Sequence, residues 1–174
     1  MNTPQSKTLE IIIPAYRMHT QSFNNALEGV DENKALERVN GNTNHIVWMT
    51  GNLVNSRYWL ANILGIEDKD PHEELFKDAK ALDESFSYPT LETLKEEWHK
   101  ISPALYQKLL SVTDEELNEP YTFGMNVSFV KENKLNMAGM CIGREDYLFG
   151  QIGLMRRILG YKGMSYNVDE KISY

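Results

Sequence analysis

Apolar residues three or four positions apart mark four stretches of the chain and predict four long helices. The first runs from about Leu9 to Leu27, with Ile13, Tyr16, Phe23 and Leu27 among its apolar positions. Pro14 either falls in its early turns or marks its start, and Gly29 closes it. The second, from about Thr43 to Leu64, opens at the cap candidates Asn42 and Thr43 and stops at Gly65. It carries two adjacent stripes, Ile46, Met49, Leu53, Leu60, Leu64 and Trp48, Trp59, Ile63, a face wide enough to touch more than one neighbour. The third extends from Thr90 to Leu110, with Leu94, Trp98, Ile101, Leu105 and Leu109 on one side, and Ser102-Pro103 predicts a kink or a break within it.

The last helix runs from about Leu135 to Leu159 and ends at Gly160. Its inward stripe reads Met137, Cys141, Arg144, Leu148, Ile152, Met155, Leu159. Gly139, Gly143, Gly150 and Gly153 each weaken it by roughly 1 kcal/mol relative to alanine, and close approach of a neighbouring helix is the expected compensation. Glu67 to Pro89 is polar and aperiodic and reads as a long crossover loop. Thr113-Asp114-Glu115-Glu116-Leu117 is a capping box, while Tyr121 to Val130 alternates weakly, as extended chain does. The pattern is that of an all-α fold forming one domain over residues 1–174, with fraying expected in the polar start and after Gly160.

Composition narrows the function classes. No segment approaches the ~20 apolar residues of a membrane span, and the N-terminus lacks a signal-peptide pattern. A lone cysteine, Cys141, excludes an internal disulfide framework and a cysteine zinc cluster, and a cytoplasmic setting is expected. The net charge of −7, with lysines and arginines scattered, argues against nucleic-acid binding. The one tight basic cluster, Arg156-Arg157 near Lys162, reads as the cationic last turn of a helix.

Two polar residues stand where the stripes call for apolar ones. Asn52 lies four residues after Trp48, and Arg144 lies between Cys141 and Leu148. Buried without partners, either costs several kcal/mol, so each needs a dedicated partner or a solvated pocket. Around them, Trp48 to Leu60 resembles the second helix of the DinB-like family, in which a Gly-His-Leu stretch supplies one metal ligand. Arg144-Glu145-Asp146-Tyr147-Leu148-Phe149-Gly150-Gln151-Ile152, followed by Arg156-Arg157 and Gly160, resembles that family's His-Glu-any-any-His-any-Gly-Gln motif.

The resemblance spans nearly the whole chain. It implies a four-helix bundle with a long crossover loop between helices two and three, frequent homodimers and, in metal-bearing members, thiol-dependent transfer or isomerisation. Carried over, the three histidine ligand positions are Asn52, Arg144 and Leu148. An amide, a guanidinium and an alkyl chain do not make a zinc or nickel centre, so neither metal nor other cofactor is expected.

The pocket candidates are Asn52, Arg144, Leu148, Trp48, His45, Cys141 and Gln151. His45 lies two turns before Asn52, while His19, His72 and His99 belong to other segments with surface or helix-end roles as the default. Cys141 on the core stripe reads as a buried, inert thiol, unless Arg144 one turn on lowers its pKa. Glu145 and Asp146 read as the start of a polar face, solvated or paired with lysines. Trp48, Trp59 and Trp98 read as core aromatics, which are also what a ligand pocket uses. Three functions stay open: binding of a small molecule, with Arg144 holding an anionic group; a thiol-dependent transferase using Cys141, Arg144 and Tyr147; and a non-catalytic homodimeric interaction module.

Overall fold

The computed structural model describes residues 3–124 and 127–174. Seven α-helices occur among them: α1 (Ile12–Leu27), α2 (Glu32–Ala35), α3 (Ile46–Ile63), α4 (Glu73–Phe76), α5 (Leu91–Ser111), α6 (Asp114–Asn118) and α7 (Lys134–Ile158). Short 3-10 turns lie at Lys7–Glu10, Val39–Gly41 and Lys77–Ala79. The fold is all-helical; among the described residues the only β pairing is an isolated antiparallel bridge between Pro120 and Asn133. Of the stretch Tyr121 to Val130, expected to be extended, Met125 and Asn126 lie outside the described residues and the rest forms turns and irregular chain.

The four long helices close a ring of contacts, α3 against α5 and α7, and α1 against the same two. One core fills the ring, and α3 and α7, expected to meet face to face, do so. Among the described residues no helix is long and apolar enough to cross a membrane.

Local chemistry sets the helix ends, in places differently from expectation. The N-cap of α3 is His45, whose Nδ1 accepts from the Trp48 N–H at 2.9 Å. Thr43 instead accepts from the Val39 N–H at 2.9 Å. Thr90 caps α5, and the capping box of Thr113 and Glu116 opens α6 as the sequence indicates. No break occurs at Pro103: α5 is continuous from Leu91 to Ser111.

The crossover segment after α3 is largely irregular, as expected, and is anchored by Phe76, which packs so tightly on Gly51 that a Cβ there would lie 2.0 Å from the ring. Two other expectations are corrected. The tail after Gly160 is strapped to α1, where Gln21 and Asn25 donate to the carbonyls of Asp169 and Asn167 at 3.1 and 2.9 Å. The glycines at 139, 143, 150 and 153 of α7 meet no neighbouring helix: a Cβ at any of them would find nothing within 4 Å. They face outward, because the buried side of α7 is taken by Met137, Ala138, Cys141, Ile142, Glu145, Leu148, Phe149, Ile152 and Met155.

Candidate functional site

One layer of the core is polar. Arg57 of α3 is wholly buried, its guanidinium 3.5 Å above the Trp98 ring centre and 4.0 Å from that of Tyr16. Its Nε donates to Glu145 Oε1 at 3.1 Å, and its Nη1 donates to Thr20 Oγ1 at 2.9 Å and Ser102 Oγ at 2.6 Å. Its Nη2 donates to the Tyr16 carbonyl at 3.3 Å. Glu145 of α7, 2% exposed, also receives His19 Nδ1 at 2.9 Å, and His19 Nε2 reaches Asp146 at 2.8 Å. Both ring nitrogens thus face carboxylates, an arrangement that suits the imidazolium. The layer joins all four long helices and carries two positive and two negative groups.

The pKa directions follow from this geometry. Burial alone would raise the Glu145 carboxyl, but the Arg57 charge and the hydrogen bonds from His19 and Arg57 outweigh it and hold it below the usual range. Burial alone would lower His19, but Glu145 and then Asp146 lift it above its ordinary value. The expectation that Glu145 begins a solvated face is therefore wrong, and His19 has no surface role. The buried ion pair of α7 belongs to Glu145, not to Arg144.

Arg144 is half-buried, and its Nη2 donates to Asn52 Oδ1 at 2.7 Å. Asn52, 1% exposed, is fixed in turn by donating from Nδ2 to the Trp48 carbonyl at 3.1 Å. Among the described residues no carboxylate forms an ion pair with Arg144.

The Arg144 side chain lies instead in the wall of a cleft of about 760 Å³. Asn55, Ser56, Trp59 and Asn62 of α3 form one side, and Met137, Met140, Cys141 and Arg144 of α7 another. Phe76, Asp70, Glu73 and Asp78 close it from the crossover segment, and Tyr121, Thr122 and Phe123 from the chain after α6. Ser56 is 2% exposed, yet its hydroxyl makes no hydrogen bond of ordinary geometry. Trp59, expected in the core, is 40% exposed at this cleft, and its Nε1 donates to the Tyr121 hydroxyl at 3.1 Å.

The remaining candidates lie elsewhere or are inert. Cys141 is buried, and its thiol is pushed up to about 12 by burial and by the Glu145 charge; nearby Ser56 and Arg144 oppose this without reversing it. Leu148 is a 2% exposed core residue, and Trp48 is buried with its indole N–H unpartnered. His45 is occupied as a cap, packs edge-on against Tyr88 and is lowered by burial to about 4. Gln151 is half-buried on α7 away from the cleft. Among the described residues no three His, Cys, Asp or Glu side chains converge as a metal site. No family model matches the sequence, and no curated protein matches it.

Proposed function

We propose that this chain is a DinB-like four-helix bundle without that family's metal centre, which binds a small molecule bearing an anionic group in the cleft at Arg144. The observation that carries the reading is a half-buried guanidinium whose side-chain partner is a neutral amide, set in the wall of a cleft. A cation partly removed from water is stabilised by a counter-charge, and Asn52 supplies a dipole alone. Trp59, Phe123, Met137 and Met140 offer apolar surface to the rest of such a ligand.

The meeting of Asn52 with Arg144 supports the family reading, since both stand at ligand positions that must converge in metal-bearing relatives. An amide, a guanidinium and an isobutyl group do not fit a metal ion there. The transferase alternative has less support, because a thiol raised to about 12 stays protonated at neutral pH.

The test is thermal unfolding of the wild type and of Arg144→Met against inorganic phosphate, sulfate and a panel of small carboxylates. Wild-type protein is expected to gain stability from at least one anion, by about 2.7 kcal/mol at a hundredfold excess over Kd. Arg144→Met should keep near-normal or raised stability without ligand and lose that gain. Equal gains in both proteins would overturn the assignment of Arg144.

A further inference from the structure

Arg144 has a counterpart of opposite sign on the same cleft. Asp70, 7% exposed, stands in the wall that the crossover segment contributes. Its Oδ2 accepts from Asn55 Nδ2 at 2.8 Å, and its Oδ1 accepts from the His72 backbone N–H at 2.8 Å. Neither donor is a cation. Among the described residues no lysine, arginine or histidine side chain forms an ion pair with Asp70. Burial raises its carboxyl above the ordinary value, with the two hydrogen bonds pulling the other way.

The two charges are held alike and close together. Arg144 donates to the amide of Asn52, and Asp70 accepts from the amide of Asn55, both on α3. Residues three apart on a helix are neighbours, with Cβ atoms about 5–6 Å apart. Asn52 and Asn55 therefore fix a guanidinium and a carboxylate within one helical turn of each other, without neutralising either. Partly dehydrated opposite charges are stabilised by counter-charges, and here each has only an amide dipole from α3.

The rest of the cleft narrows what could supply both counter-charges. Three carboxylates line it, Asp70, Glu73 and Asp78, against two bases, Arg144 and Lys77. Lys77 is engaged by Glu74 at 2.7 Å, a residue outside the lining. A multiply charged anion drawn to Arg144 would face an acidic wall, which selects against it. A molecule with an ammonium and a carboxylate satisfies both sides at once. Trp59, 40% exposed, with Phe123, Met137 and Met140, offers apolar surface to the body of such a molecule. The volume of about 760 Å³ is that of a small-molecule site.

We propose that the cleft binds a zwitterion, a free amino acid or short peptide, with its carboxylate at Arg144, its ammonium at Asp70 and an apolar side chain against Trp59. The proposal rests on the anion site assigned to Arg144 and adds its cationic half.

Isothermal titration calorimetry of the full chain with phenylalanine, its deaminated counterpart phenylpropionate and its decarboxylated counterpart phenethylamine separates the two charges without any mutation. Phenylalanine is expected to bind, and each counterpart to bind at least ~10-fold more weakly, the loss of one charge-assisted contact. Tryptophan, methionine, phenylalanylglycine and glycylphenylalanine extend the series, and the tighter class tells a free amino acid from a peptide. Asp70→Asn, which keeps an acceptor for the His72 N–H, should weaken phenylalanine at least ~10-fold and leave phenylpropionate unchanged, whereas Arg144→Met should weaken both. Phenylpropionate bound as tightly as phenylalanine, with Asp70→Asn indifferent to both, would overturn the zwitterion and leave the anion site at Arg144 standing. Phenylalanine binding untouched by Arg144→Met would remove that site and this inference together. No binding of any amino acid or dipeptide in the series would overturn the inference, while the anion site keeps its own test with phosphate, sulfate and carboxylates.

Discussion

At the scale of single residues, the side chain with most depending on it is Arg57. It is held by five hydrogen-bond acceptors and two aromatic faces, all of them on buried residues. Removing one member of a buried pair strands the other, so Arg57→Met and Glu145→Gln are each expected to lose about 3–5 kcal/mol in urea denaturation. Combining Arg57→Met with Glu145→Gln removes both charges and should lose clearly less than the two single changes added together. Additive losses would mean that the two side chains stabilise the fold separately.

His19 gives the layer a pH dependence. Its folded pKa lies above the ordinary value of 6.5, so its contribution is complete below about that pH and fades as pH rises through the folded value. Glu145 acts oppositely: its depressed pKa contributes above its unfolded value, near 4.5, and is lost on acidification. The stability difference between wild type and His19→Gln should therefore be largest near pH 6 and shrink toward alkaline pH. A difference that is flat from pH 6 to alkaline values would show that His19 does not take up its proton on folding.

This layer was legible in the sequence, though at different positions from those singled out. Arg57 sits four residues after Leu53 and three before Leu60, His19 between Tyr16 and Phe23, and Ser102 between Trp98 and Leu105. On α7, Arg144 and Glu145 both satisfy the spacing between Cys141 and Leu148. Neighbouring residues differ by about 100° around a helix, so a stripe of apolar residues cannot choose between them. The choice is made by partners on other helices: Arg57 and His19 on one side, Asn52 on the other.

Among the elements, α1, α3, α5 and α7 follow from apolar periodicity, and their ends agree with it to within a few residues. The short helices α2 and α4 were hidden, since four residues are too few to show a period. The docking of Phe76 onto Gly51 was hidden too, because a helical glycine does not by itself say whether anything approaches it: Gly51 meets Phe76, whereas Gly139, Gly143, Gly150 and Gly153 meet nothing. Gly51→Ala is expected to displace Phe76 and cost about 1–3 kcal/mol, the usual penalty for overfilling a packed site. Adding Phe76→Leu, which shortens the intruding ring, should recover part of that loss. No recovery would place the strain in the backbone of α3. Since Phe76 also lines the Arg144 cleft, Gly51→Ala is further expected to weaken anion-induced stabilisation.

For the whole molecule, ring packing of four helices places the three tryptophans in three environments. Trp98 is fully buried under a guanidinium and stacked on Phe23 at 4.2 Å; Trp48 is 7% exposed; Trp59 stands 40% exposed at the cleft. The fold therefore carries its own optical reporters. Emission from a Trp59-only variant, with Trp48→Phe and Trp98→Phe, should respond to an anion that enters the cleft, whereas a Trp98-only variant should stay silent until the core itself opens. Comparing the two during a denaturant titration separates loosening of the cleft from global unfolding, without an attached dye.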